Sequence, residues 1–75
     1  MKYEFVITIL GLEYPGQETV ETFVVDEESY RINVDSFDMA KDHKFVVLHV
    51  PSGELVLRTS DIRRVDINVV PENEA

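Results

Sequence analysis

The chain has 75 residues, neither cysteine nor tryptophan, and a formal net charge of −8 at neutral pH. That length makes one small domain, near the lower size at which a chain folds without staples. The missing cysteine excludes disulfides, thiolate metal sites and a cysteine nucleophile, and the negative charge opposes general nucleic-acid binding.

Tyr3, Phe5, Ile7 and Ile9 alternate with Glu4, Val6, Thr8 and Leu10, which predicts a first strand over residues 2–10. Lys2 followed by the apolar run 5–12 superficially resembles a secretion signal. Glu4 and Glu13 bracket that run, no small-x-small cleavage pattern appears, and it is far shorter than the roughly 20 residues of a membrane-spanning helix. The expectation is a soluble cytoplasmic protein. Residues 11–17 (GLEYPGQ) hold glycines and a proline that break regular structure, and residues 18–25 read as a second strand. Asp26-Glu27-Glu28-Ser29 is a turn by composition.

Tyr30, Ile32 and Val34 alternate with Arg31, Asn33 and Asp35, the pattern of a strand with one apolar face, 30–35. Residues 36–42 read as a loop containing about one helical turn, with Ser36 as a possible cap. In the stretch 44–50, Phe45, Val47 and His49 share one face and Val46, Leu48 and Val50 the other. Pro51-Ser52-Gly53-Glu54 predicts a four-residue connection with glycine at positive φ, joining 44–50 to a strand 55–59 as a hairpin. Ser60-Asp61 are placed to cap one turn through Ile62 and Arg63, and 64–70 closes the pattern as a last strand. The reading gives a single β domain over 1–70 and a flexible tail over 71–75.

A hairpin, a single helical turn and a terminal strand over residues 43–70 resemble the SH3-like small barrel. The resemblance implies an all-β, five- to six-stranded antiparallel barrel or sandwich; Sm-like, LytTR-like and OB-like arrangements fit the same strand count. The chain lacks the tryptophans of peptide-binding SH3 domains, so the resemblance does not carry a proline-peptide groove with it.

Catalytic and metal chemistry find little support in the residues. His43 and His49 in one extended segment stand about 20 Å apart. Asp35, Asp38 and Asp42 do not match a calcium loop, since Phe37, Met39 and Ala40 fall where ligands and the turn glycine belong. Asp26-Glu27-Glu28 reads as a solvated turn. Ser52 is accounted for by the hairpin turn and Ser60 by a cap, with no strained nucleophile elbow, and isolated glycines form no phosphate cradle. The expectation is a non-enzyme without cofactor, metal, membrane or small-molecule substrate.

Charge is distributed unevenly. Residues 1–42 carry Lys2, Arg31 and Lys41 against ten acids, a net of −7, and residues 43–75 carry Lys44, Arg58, Arg63 and Arg64 against five acids, a net of −1. Arg58, Arg63 and Arg64 flank the predicted turn and are candidates for protein contact, as is Tyr14 with Leu12 and Pro15. The leading expectation is an acidic protein-interaction or accessory module of bacterial or phage type. It would bind a protein partner or associate with itself along an edge strand, 30–35 or 64–70. One alternative is an acidic mimic that inhibits a nucleic-acid-binding protein through Glu13, Glu18, Glu21, Asp26, Glu27 and Glu28. Another is a nucleic-acid-binding barrel using Arg58, Arg63 and Arg64, with Tyr30 or Tyr14 as a stacking surface.

Overall fold

The computed structural model describes residues 1–10 and 17–71. Chain order is strand β1 (Lys2–Leu10), strand β2 (Glu18–Asp26), helix α1 (Glu27–Met39), a 3₁₀ turn (Ala40–Asp42), strands β3 (Phe45–Val50) and β4 (Gly53–Arg58), a second 3₁₀ turn (Thr59–Asp61) and strand β5 (Ile62–Val70). The strands form two antiparallel sheets, one in the order β2-β1-β5 and one of β3 with β4. The expected strands 2–10, 18–25, 44–50, 55–59 and 64–70 all correspond to observed ones, with small shifts at their ends.

β1 lies in the middle of the larger sheet, and its odd-numbered residues face the core. Phe5 and Ile7 are fully buried. Directly opposed residues in a ladder share a face, so Phe23 and Ile67 flank Phe5 while Glu21 and Val65 flank Ile7. The smaller sheet contributes Val46 and Leu48, and Val25 and Ala40 complete the buried cluster. Aromatic rings join the helix to the larger sheet. Tyr3 and Tyr30 stack with centroids 3.9 Å apart and planes within 11°, and Phe5 lies 5.2 Å from Phe23 and 6.4 Å from Phe37.

The helix corrects the expected turn at 26–29, the strand 30–35 and the loop 36–42. Asp26, in extended conformation, is its N-cap, and its side chain accepts a hydrogen bond from the Ser29 N–H at 2.9 Å. This satisfies one of the amides that a helix start leaves unpaired. Glu27 and Glu28 occupy the first turn, where negative charge favours the helix dipole. The inward stripe is Tyr30, Asn33, Phe37 and Ala40, a helical spacing. Ile32 and Val34, which completed the strand-like alternation, lie 37% and 36% exposed. Ser36 is a residue of the helix interior and not its cap, and there is no edge strand at 30–35 through which copies of the chain can pair.

The fold is therefore β-rich with one helix, not all-β. The two sheets share no ladder, so a closed SH3-like barrel does not form among the described residues. Helix α1 and its 3₁₀ turn occupy the stretch that would otherwise join β2 to β3 as a hairpin.

Two smaller corrections concern the 44–70 segment. The hairpin loop is the two residues Pro51 and Ser52, because Val50 already pairs with Gly53. Gly53 has φ +136°, the positive value expected of it. The second 3₁₀ turn begins at Thr59, no side chain caps it, and Ile62 and Arg63 already belong to β5. Among the described residues no helix is long and apolar enough to cross a membrane. Leu12, Glu13, Tyr14 and Pro15, and the tail beyond Pro71, lie outside the described residues.

Candidate interaction surface

The β3–β4 hairpin presents its inner residues Val46, Leu48, Leu55 and Leu57 to the core. Its outer face therefore carries the intervening residues, opposed as Phe45–Arg58, Val47–Val56 and His49–Glu54. Three of these are apolar and exposed: Phe45 at 54%, Val47 at 41% and Val56 at 58%. Adjacent on one face, they form an unbroken apolar strip, with Arg58 at one end and His49 with Glu54 at the other.

Which backbone groups each strand offers to its neighbour follows from one bond. The Thr59 N–H donates to the Lys44 carbonyl at 2.9 Å, so Lys44 and Thr59 form a hydrogen-bonded pair. Such pairs recur every second residue in an antiparallel ladder. Val46–Leu57, Leu48–Leu55 and Val50–Gly53 are then the pairs that bond within the hairpin. Phe45, Val47 and His49 turn their N–H and C=O groups away from β4, and Glu54, Val56 and Arg58 turn theirs away from β3.

The outer edge of β3 is partly closed. Asn33, fully buried on α1, donates from Nδ2 to the His49 carbonyl at 2.9 Å and accepts the His49 N–H on Oδ1 at 2.7 Å. Its carboxamide occupies the position of a strand neighbour. No buried side-chain nitrogen or oxygen among the described residues lacks a partner, which is the condition for placing an amide in a core at small cost. No comparable group reaches β4, whose outer edge stands open among the described residues.

Beside the apolar strip lies a shallow cleft of about 610 Å³, lined by Lys41, Asp42, His43, Lys44, Phe45, Arg58, Thr59 and Ser60. Thr59 ties two of the lining segments together: its hydroxyl donates to the His43 carbonyl at 2.8 Å and lies 3.1 Å from the Lys44 carbonyl. Lys41 pairs with Asp38 at 3.4 Å. Lys44 and Arg58 have no acidic group within ion-pair distance among the described residues. A cationic cleft thus stands at the end of the β3–β4 hairpin away from its turn, in a chain whose net charge is −8.

The arginines singled out in the sequence lie on different strands, Arg58 on β4 and Arg63 and Arg64 on β5. Arg58 lines the cleft on the smaller sheet. Arg64 lies opposite Thr8 on the larger sheet and pairs with Asp66, Nε to Oδ2, at 2.9 Å. Arg63 is exposed at the register break between them, where Thr8 pairs with Arg64 and Ile9 with Ile62, the signature of a bulge. One face of the Tyr30 ring is stacked on Tyr3.

The acids are dispersed as well. Asp26, Glu27 and Glu28 cluster at the start of α1. Glu21 is on the Ile7 face of the larger sheet, and Glu18, opposite Leu10, is on the other. Glu18 is also about 26 Å along β2 from Asp26, at about 3.3 Å per residue. The Ser29 amide hydrogen bond holds the Asp26 carboxyl below its ordinary value, and this is the principal cause of the shift. Among the described residues no group of three or more His, Asp or Glu is arranged to hold a metal ion.

Phe45, Val47, Lys41 and Lys44 were not singled out from the sequence. The signal was present: Phe45 and Val47 share their parity with His49, and the hairpin register sets them opposite Arg58, Val56 and Glu54. Polar residues at both ends of that face mark it as the solvent side. Comparison with family models, with curated proteins and with solved structures returns no match.

Proposed function

We propose that the chain is a non-enzymatic protein-interaction module that binds its partner through the outer face of the β3–β4 hairpin. The observation that carries this reading is the continuous exposure of Phe45, Val47 and Val56 on one hairpin face. An apolar strip with a polar rim is the composition of a contact surface. An exposed aromatic next to an arginine supplies the residue types that dominate binding energy. Lys44 and Arg58, without an ion-pair partner among the described residues, favour a partner whose apolar contact is bordered by acids.

The acidic-mimic alternative has less support, because Glu18 and Glu21 lie on opposite faces of β2. For nucleic acid, the cationic cleft is set in a strongly acidic chain whose field repels a polyanion.

A photo-crosslinking residue in place of Phe45, in the full chain, tests the reading against the same residue at Thr22 on the far face of the larger sheet. Position 45 is expected to capture a discrete protein and position 22 none. With that protein purified, V47E is expected to weaken binding by roughly tenfold or more, while T22E leaves it unchanged. Absence of specific capture at position 45, or binding indifferent to V47E, refutes the proposal.

A further inference from the structure

The geometry points to the open edge of β4 as a self-complementary seam through which two copies of this chain pair, extending their hairpins into one four-stranded antiparallel sheet. Residues 54–58 read Glu-Leu-Val-Leu-Arg. When this segment meets a second copy antiparallel, with Val56 opposite the second copy's Val56, each Glu54 falls opposite an Arg58 and each Leu55 opposite a Leu57. Charge, apolar character and size then match at every position. A two-fold axis through Val56 makes the contact isologous and closed, which limits the assembly to two copies.

Backbone geometry selects the same register. Glu54, Val56 and Arg58 are the β4 residues whose N–H and C=O groups point away from β3, as the Lys44–Thr59 bond establishes. They are also the residues that this pairing brings opposite one another, so each opposed pair exchanges hydrogen bonds. Side-chain direction agrees too. Leu55 and Leu57 face inward in both copies, while Glu54, Val56 and Arg58 face outward.

The other long edges do not share this property. β2 paired with itself about its centre, Thr22, sets Glu18 against Asp26, and like charges directly opposite destabilise a sheet. β5 paired about its centre sets Asp66 against Asp66. The outer edge of β3 is occupied at His49 by Asn33. Sheet edges left open are ordinarily protected by charge, proline or a covering element, and the charges on β4 are placed to attract a second copy of it.

This pairing goes beyond the partner reading and stands without it. It leaves the Phe45–Val47–Val56 strip exposed and doubles it across the two-fold axis. Arg58 then faces Glu54 of the second copy, and Lys41 and Lys44 keep the cleft cationic.

The test is a charge exchange in the full chain, read by sedimentation equilibrium up to ~1 mM, the range suited to a contact this small, with circular dichroism confirming folded protein. The unaltered chain is expected to form a dimer that weakens with added salt. E54R places two cations opposite one another and R58E two anions, so each alone is expected to lose on the order of tenfold or more in association. An equimolar mixture of E54R and R58E restores complementary pairs and is expected to dimerise as a heterodimer. V56P, whose lost N–H faces outward and takes no part in the bonding to β3, is expected to be monomeric while keeping the hairpin. A chain that stays monomeric, a dimer indifferent to all three substitutions, or a mixture that fails to associate overturns the proposal.

Discussion

The carboxamide of Asn33 stands against the backbone of His49 as a strand would, giving one hydrogen bond and taking another at 2.9 and 2.7 Å. The two residues lie sixteen positions apart, so the contact fixes helix α1 against the hairpin through direction as well as burial. An apolar residue at position 33 would fill the same space and leave the His49 N–H and C=O without partners. The bond also holds the outer edge of β3 closed at that point while β4 stays open.

Replacing Asn33 tests that account. N33A or N33L is expected to cost about 1–3 kcal/mol, the penalty for orphaning buried polar groups, measured by urea denaturation. N33D adds a pH signature, because a carboxylate cannot donate to the His49 carbonyl and burial raises its pKa above the unfolded value. Its deficit relative to the unaltered chain is therefore greatest above the folded pKa. It narrows as pH falls through that value, because the protonated carboxyl regains a donor. A deficit independent of pH would show that the two bonds do not carry the contact.

Asn33 also explains why the helix was hidden in the sequence. The inward stripe Tyr30, Asn33, Phe37 and Ala40 has helical spacing but a polar residue in its second place, while Tyr30, Ile32 and Val34 imitate a strand with aromatic and β-branched side chains. Only the tertiary bond to His49 makes an amide acceptable at a core position, and no local pattern reports it. The strands were legible because alternation runs long in β1 and because Gly53 and Pro51 punctuate the hairpin. Half of the candidate surface was legible for the same reason: parity separates Phe45 and Val47 from Val46 and Leu48, but which face meets the core depends on where α1 lies. The pairing of Arg64 with Asp66 and the separation of Arg58 from it follow from their placement on different sheets.

The stacked rings of Tyr3 and Tyr30 are expected to couple helix to sheet. A double-mutant cycle with Y3L and Y30L should give a coupling of roughly 0.5–1.5 kcal/mol beyond the separate losses of buried area. Additive effects in thermal or urea denaturation would mean that the rings merely fill space.

Gly53 is predicted to be intolerant for a backbone reason alone. A Cβ there meets nothing within 4 Å, yet its φ is +136°, which L-residues rarely adopt. G53A is expected to destabilise by roughly 1–3 kcal/mol. G53N should fare no better, because +136° lies well beyond the left-handed helical region, near +57°, that asparagine tolerates. Recovery with asparagine in a urea titration would indicate that the turn relaxes into that region.

Asp26 supplies a prediction at the other end of α1. Its carboxyl accepts the Ser29 N–H, and that bond holds its pKa below the ordinary carboxylate value. A depressed folded pKa contributes stability that is fully present above the unfolded pKa and is lost as pH falls through the folded one. The loss therefore lies below about pH 4. D26A should lower the melting temperature at neutral pH and flatten the acid limb of the stability curve. D26N should flatten the acid limb as well, yet keep most of the neutral-pH stability, since asparagine caps helices nearly as well as aspartate. Melting curves of the three proteins between pH 2 and pH 7 distinguish these outcomes. An acid limb unchanged in D26N would place the acid sensitivity elsewhere, among the remaining carboxylates.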